Sequence, residues 1–317
     1  MDLKIFSGEA NLKLAKEIAV YLGVSLRPMY YHDFPDGESK IRYGESIRGE
    51  RIFIIQSLSP NPNDSLMQLL MMIDAAKRAG VEYLNIVVPY LCYMRQDGKE
   101  HPREPISARL VADLIHAAAG TIPYHVVTVE MHAKQQEGYF QSITPLYARL
   151  GKIDYFKNIL PVENLVVVAP DANAAKQARA FAQRIGNCPL AVIDKRRPQE
   201  SKAEVVNVIG DVSGRTALLV DDMVDTGGTL CEAIEAILAA GAKKAYAFCA
   251  HGVLSGSAVE RISNSKIEKL FITDTIYHRP EKFQGACGQI EIISIAPLLG
   301  EAIRIISAKG SVSSLFE

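Results

Sequence analysis

Three shortages bound this chain before any motif is considered. It has 35 Lys and Arg against 36 Asp and Glu, a formal net charge of -1, so it lacks the basic surplus that nucleic-acid binding needs. Cysteine is scarce: Cys92, Cys188, Cys231, Cys249 and Cys287 are scattered, odd in number, and form no CxxC or close His spacing. That argues against a disulfide framework and against a zinc site, and leaves them as small apolar residues. No apolar run approaches the ~18 residues of a membrane span, and Met1 to Phe6 lacks a signal-peptide layout. The expectation is a cytoplasmic protein with neither nucleic acid nor membrane as partner.

The 317 residues, 48% of them apolar, exceed what one core usually holds, since single cores stop growing near about 250 to 300 residues. Short apolar runs alternate with helix-length segments: Arg51 to Gln56, Leu84 to Pro89, Val126 to Val129, Leu165 to Ala169, Ala191 to Ile193, Ala217 to Val220 and Tyr246 to Ala250. This is the pattern of βαβ units and mainly parallel sheets. The run from Arg51, a helix ending Ala79-Gly80 and a strand from Leu84 are echoed by Arg215, Ala240-Gly241 and Ala245. A tandem pair of related α/β domains follows, with a boundary between Pro145 and Ile153 that divides the chain into 1–147 and 148–317.

The most informative segment runs from Leu218 to Leu230. A buried strand is expected from Ala217 to Val220, with Asp221 and Asp222 at its end; Asp225, Thr226, Gly227, Gly228 and Thr229 then lead into a helix. Glycines let backbone N–H groups approach a phosphate at a helix N-terminus, and threonines add donors. The carboxylates would repel that phosphate, so sugar hydroxyls or a divalent cation are their natural partners. With no lysine in the loop it is not a Walker A sequence. The corresponding stretch of the first copy, Ser57 to Ser65, has no glycine or threonine and only Asp64 as an acidic residue.

Other charged loops follow strand ends, where α/β folds place ligands. Arg95, Gln96 and Asp97 lie in a dense polar run from Tyr90 to Pro105, His132 ends one strand and Asp171 another. A Mg²⁺ between phosphate oxygens is a plausible partner for His132 and Asp171. Asp194-Lys195-Arg196-Arg197 reads either as a solvated basic turn or as a mobile arm that neutralises developing charge.

Taken together, Phe34-Pro35-Asp36-Gly37-Glu38, Arg95-Gln96-Asp97, Arg103-Glu104-Pro105, Met131-His132-Ala133, Pro170-Asp171, Asp194 to Arg197, Asp221 to Thr229 and Ser311 to Phe316 closely resemble the ribose-phosphate pyrophosphokinase family over nearly the whole chain. The resemblance implies two tandem α/β domains of phosphoribosyltransferase type, with the last residues able to pack back on the first. It implies ATP and ribose 5-phosphate as substrates, Mg²⁺ as cofactor, and 5-phosphoribosyl 1-diphosphate and AMP as products. Asp221, Asp222, Asp225, Thr226, Gly227, Gly228 and Thr229 would form the ribose 5-phosphate loop. Arg95, Gln96 and Asp97 would hold ATP, His132 and Asp171 would sit at Mg²⁺, and Lys195 and Arg197 would stabilise the transition state. Phe34, Asp36 and Glu38 resemble an adenine-binding turn that reaches in from a neighbouring subunit, which implies a homo-oligomer, a hexamer in this family.

Two departures stand out. The family commonly has Gly-Gly after Pro-Asp, where this chain has Ala172-Asn173-Ala174-Ala175, and an Asp-Asn pair linked to phosphate and ADP regulation, where it has Pro145-Leu146. The first keeps open a non-catalytic homologue that assembles with an active synthetase. A phosphoribosyltransferase is a third alternative, which would leave the first domain without a task.

Overall fold

The structure is a computed structural model that describes residues 3–196, 205–285 and 288–316. Its first half contains β1 (Lys4–Ser7), α1 (Leu12–Leu22), β2 (Met29–Asp33), β3 (Ser39–Tyr43), β4 (Arg51–Ile55), α2 (Pro62–Ala79), β5 (Tyr83–Val88), α3 (Ser107–Ala119), β6 (Tyr124–Val129) and β7 (Ile143–Leu146). The second half contains α4 (Ile153–Ile159), β8 (Leu165–Ala169), α5 (Ala175–Gly186), β9 (Leu190–Arg196), β10 (Val205–Ile209), β11 (Thr216–Val224), α6 (Gly228–Ala239), β12 (Lys244–Gly252), α7 (Ala258–Ser263), β13 (Lys269–Thr273), β14 (Ile290–Ile293) and α8 (Ala296–Ser307). The expected α/β class with parallel sheets flanked by helices is what the chain forms.

The first sheet has strand order β1-β4-β5-β6-β7, all parallel, with β2 and β3 set apart as an antiparallel hairpin. The second has order β10-β9-β8-β11-β12-β13-β14, parallel except for the β9–β10 pair. The order is sequential in the first sheet and reverses between β8 and β11 in the second.

Every strand expected from an apolar run is present. β1, β7, β10, β13 and β14, together with the β2–β3 hairpin, carry weaker patterns and were not expected. The internal echo is real at the level of the backbone. Gly49 donates its N–H to the carbonyl of Gly80, and Gly214 donates to Gly241, each at 2.8 Å. All four glycines have positive φ, a conformation that side chains with a Cβ rarely adopt.

Burial explains why the strands read as continuous apolar runs. In β4, Ile52 and Ile54 pack with α2 and α3, while Phe53 and Ile55 face a core shared by both halves. In β11, Ala217 and Leu219 enter the core under α6 and α7, whereas Leu218 and Val220 join the shared core. Alternate side chains thus serve different layers. The shared core also holds Leu14 and Ile18 of α1 and Leu299 and Ile303 of α8, two helices in mutual contact. The C-terminal helix therefore packs against the N-terminal one. No helix among the described residues is long and apolar enough to cross a membrane.

Phe156 of α4 is fully buried in the shared core and meets Tyr155, Phe181, Phe248 and Phe271 edge-on at centroid distances of 5.3 to 6.0 Å. Removing a ring from such a site leaves a cavity that rigid neighbours cannot fill. Phe156→Ala should lower the stability of the cooperative unit by about 3 to 5 kcal/mol in urea unfolding. A loss below about 1 kcal/mol would show that the cluster relaxes freely around the gap.

Candidate active site

The reversal between β8 and β11 opens a crevice at the carboxyl ends of the strands, the usual ligand position in open α/β sheets. Asp171 follows β8, and the loop from Asp221 to Thr229 leaves β11. The strand is longer than the apolar run suggests: β11 continues to Val224, so Asp221 and Asp222 lie within it rather than after it. The hydrogen-bond ladder to β12, pairing Asp221 with Cys249 and Met223 with His251, sustains this extension. Successive strand residues point to opposite faces, so Asp222 lies on the face of Leu218 and Val220, toward the first half.

Gly227, at φ +76, turns the chain into α6, whose first residue is Gly228. Thr226, Gly227 and Thr229 at this helix start line the crevice, and the first N–H groups of a helix, which lack intrahelical partners, suit an anion. From behind, Arg261 of α7 donates to the Thr226 carbonyl at 2.7 Å and fixes the turn.

A cavity of 1230 Å³ gathers Arg95, Asp97, His132, Asp171, Asp221, Asp222, Asp225, Thr226, Gly227 and Thr229. Within it, Arg95 and His132 of the first half meet the second: Arg95 Nη1 lies 2.7 Å from Asp225 Oδ2, and His132 Nδ1 lies 2.6 Å from Asp222 Oδ2. Asp97 is held by Gln135, whose Nε2 donates to its Oδ2 at 2.8 Å. Asp171 Oδ1 accepts the N–H of Ala174, the residue before α5, at 2.9 Å and so closes the turn that leads into the helix. No residue from Ala172 to Ala175 has positive φ. The turn is built without the left-handed backbone that makes glycine necessary, so its alanines carry no conformational strain.

The two adjacent carboxylates are driven apart. Burial, reinforced by the charge of Asp222, pushes Asp221 well above the ordinary carboxylate value. Burial also opposes ionisation of Asp222, but the hydrogen bond and charge of His132 outweigh it and hold Asp222 low. The same hydrogen bond raises His132 against the effect of its partial burial. A carboxyl whose ionisation is opposed by burial and by a neighbouring charge is relieved by a cation or hydroxyl donors. Among the described residues, no group of three or more His, Cys, Asp or Glu side chains forms a metal cage. A Mg²⁺ here would need oxygens from a ligand to complete its shell.

Not every expected residue joins this cleft. Gln96 turns away, its side-chain oxygen accepting from Ser107 Oγ at 2.5 Å and its carbonyl accepting the Ala108 N–H, so it anchors the start of α3. Gly228 shapes the helix start without lining the cavity. Phe34, Asp36 and Glu38 lie on the exposed turn between β2 and β3, where Phe34 donates its N–H to the Glu38 carbonyl at 2.7 Å and remains 41% exposed. Lys195 is the penultimate residue of β9, paired across the ladder with Val206, so the basic segment begins as strand rather than as turn. Arg197 lies outside the described residues.

Three groups behind the cleft were not expected from the sequence. Glu130 and Arg149 form a buried ion pair at 2.5 Å, His251 sits buried between the two halves, and Arg261 supports the loop. None of these four residues belongs to a motif, and only the tertiary pairing gives each its meaning.

The raised His132 pKa has a testable sign. A histidine whose folded pKa exceeds its ordinary 6.5 adds stability below that value and loses it as pH rises through the raised one. With 38% of the His132 side chain exposed, solvent screening keeps the stability effect small, so NMR titration of the ring is the better readout. Asp222→Asn should move the His132 pKa down toward 6.5; an unchanged value would rule out Asp222 as the cause.

Residues 3–120 match the family model for the N-terminal domain of ribose phosphate pyrophosphokinase, and residues 195–317 match that for the phosphoribosyl synthetase-associated domain. A ribose-phosphate pyrophosphokinase from Caldanaerobacter subterraneus is 49% identical over 99% of this chain and 98% of its own length. One from Aquifex aeolicus is 45% identical over 99% of each. The crystal structure of phosphoribosylpyrophosphate synthetase from Mycobacterium smegmatis aligns with a TM-score of 0.89 at 36% identity, spanning 98% of this chain and 100% of that one. With the same fold from end to end and this identity over its full length, the chain belongs to the ribose-phosphate pyrophosphokinase family.

Proposed function

We propose that this chain is an active enzyme that transfers the β,γ-diphosphate of ATP to the 1-hydroxyl of ribose 5-phosphate. The sugar oxygen bonds to the β-phosphorus as the bond from that phosphorus to the oxygen bridging to the α-phosphorus breaks. The hydroxyl proton is lost, and AMP leaves with the bridging oxygen. The observation that carries this reading is the single cleft into which both halves send polar loops, joined by Arg95 with Asp225 and His132 with Asp222. A two-substrate transfer needs such a cleft, because catalysis of this kind is mostly positioning and charge neutralisation.

In this reading residues 148–317 supply the sugar site. Amides at the start of α6, with Thr226 and Thr229, hold the 5-phosphate, and Asp221, Asp222 and Asp225 meet ribose hydroxyls. Residues 1–147 supply the nucleotide site through Arg95 and Asp97, with Gln96 anchoring their loop. His132 and Asp171 would hold Mg²⁺, which neutralises phosphate charge when bound. The strain-free turn after Asp171 supports activity over a non-catalytic homologue. Phe34, Asp36 and Glu38, exposed on their hairpin, would complete the adenine site of a neighbouring copy, so the working form is a homo-oligomer, a hexamer by family resemblance. The setting is the cytoplasm.

The purified protein with ATP, Mg²⁺ and ribose 5-phosphate should release AMP only when the sugar is present. AMP formation independent of sugar, or none at all, would sink the proposal. Lys195→Ala should lower kcat by about 10² while leaving ATP binding largely intact, as expected for charge stabilised in the transition state. Near-normal turnover would remove Lys195 from the mechanism.

A further inference from the structure

We propose that His251, a buried histidine outside the substrate cleft, is a positioning residue that sets the geometry at which His132 meets Asp222. The proposal rests on the reading of His132 as an active-site group. His251 lies on β12, paired across the ladder with Met223 of β11, the neighbour of Asp222. Against β13, β12 shifts register between Cys249 and His251, the kind of irregularity that re-aims side chains. At 2% exposure the ring reaches across to the first half. Its Nε2 is 3.0 Å from the Val129 carbonyl oxygen and 3.1 Å from that of Glu130, and its Nδ1 is 2.9 Å from Thr275 Oγ1.

These partners decide the ring's chemistry. Carbonyl oxygens only accept, so Nε2 carries the hydrogen and donates to them; Nδ1 then accepts from the Thr275 hydroxyl. Burial opposes the protonated imidazole and pushes its pKa below the ordinary histidine value. Val129 and Glu130 are the last steps of the chain before Met131 and His132. Glu130 has φ +39, a left-handed backbone that a residue with a Cβ holds only when its surroundings enforce it. They enforce it from two sides: His251 holds the carbonyl, and Arg149 holds the buried carboxylate.

The anchor is itself tied to the first half. Ser57 Oγ donates to the Thr275 carbonyl at 2.6 Å, and Asn11 Nδ2 donates to the Asp274 carbonyl at 2.7 Å. Ser57 begins the segment that corresponds, in the first copy, to the Asp221 to Thr229 loop. What is a sugar-phosphate loop in one copy is an inter-sheet clasp in the other. A closed circuit results: Ser57 holds the 275 segment, Thr275 orients His251, His251 holds the end of β6, and His132 meets Asp222 back on β11.

The test is a double-mutant cycle on the full-length enzyme, comparing His251→Leu, His132→Ala and the double variant under saturating ATP, Mg²⁺ and ribose 5-phosphate. His251→Leu should lower kcat on the order of tenfold, since small misplacements of reacting groups slow positioned reactions, with KM for both substrates within about twofold of the parent. His251→Gln, which keeps an N–H donor, should recover most of that rate. In the His132→Ala background, adding His251→Leu should change kcat by less than about twofold, because coupled sites are not additive. If His251→Leu does not fold, Thr275→Val carries the same comparison with a smaller change. Multiplicative losses, a kcat within twofold of the parent, or a rise in KM without loss of kcat would overturn the proposal. If His132→Ala alone turns over normally, the assignment of His132 fails and this proposal falls with it.

Discussion

The structure depends on a demand that a parallel sheet makes: both of its faces must be covered. The first sheet winds in one direction, β1-β4-β5-β6-β7, and its α2 and α3 crossovers pack on one face. Right-handed crossovers in a sheet that does not reverse fall on the same side. The other face carries Ile5, Phe53, Ile55, Val87 and Val127, and these are buried with Phe156, Leu218, Phe248 and Phe271 of the second half. Apolar coverage thus holds the two sheets together and brings their carboxyl-end loops into register across a common cleft.

The same winding explains the division of labour between two copies of one plan. A crevice forms where strand order reverses, and only the second sheet reverses, between β8 and β11. The first sheet does not reverse, and Arg95, Asp97 and His132 project into the crevice of its neighbour. Its counterpart of the Asp221 to Thr229 loop instead holds the second half through Ser57 and Thr275. The cross-half pairs join unlike charges or hydrogen-bond partners at the mouth, while the Glu130–Arg149 pair and His251 lie deeper. Polar contacts at the mouth thus rest on a buried, hydrogen-bonded layer beneath them.

Much of this was legible in the residues. Seven apolar runs marked the central strands, because strands buried on both faces leave no polar alternation to confuse them. The glycine-rich segment after Ala217 to Val220 marked the turn into α6, and the Gly80 and Gly241 helix ends announced the repeat. The missed strands are edge or near-edge elements with mixed patterns: β1, β7, β10 and β14 end their sheets, and β2 and β3 stand outside them. Alternation also could not show that β11 would run on through two aspartates to Val224, since pairing with β12 rather than local preference sustains it.

What the sequence by itself determined was the set of parts: an α/β chain, a repeated unit, a glycine-rich acidic loop leading into a helix and the charged loops that resemble one enzyme family. These are local properties, written in periodicity, glycine placement and contiguous motifs. Only the tertiary structure decided which parts meet. It turned Gln96 toward α3 and left Phe34 on an exposed hairpin, drew His132 to Asp222 across 90 residues of chain, and placed His251 122 residues from the Val129 carbonyl it holds. Such pairings depend on how two sheets pack against each other, and side chains far apart in the chain record that packing only when it forms.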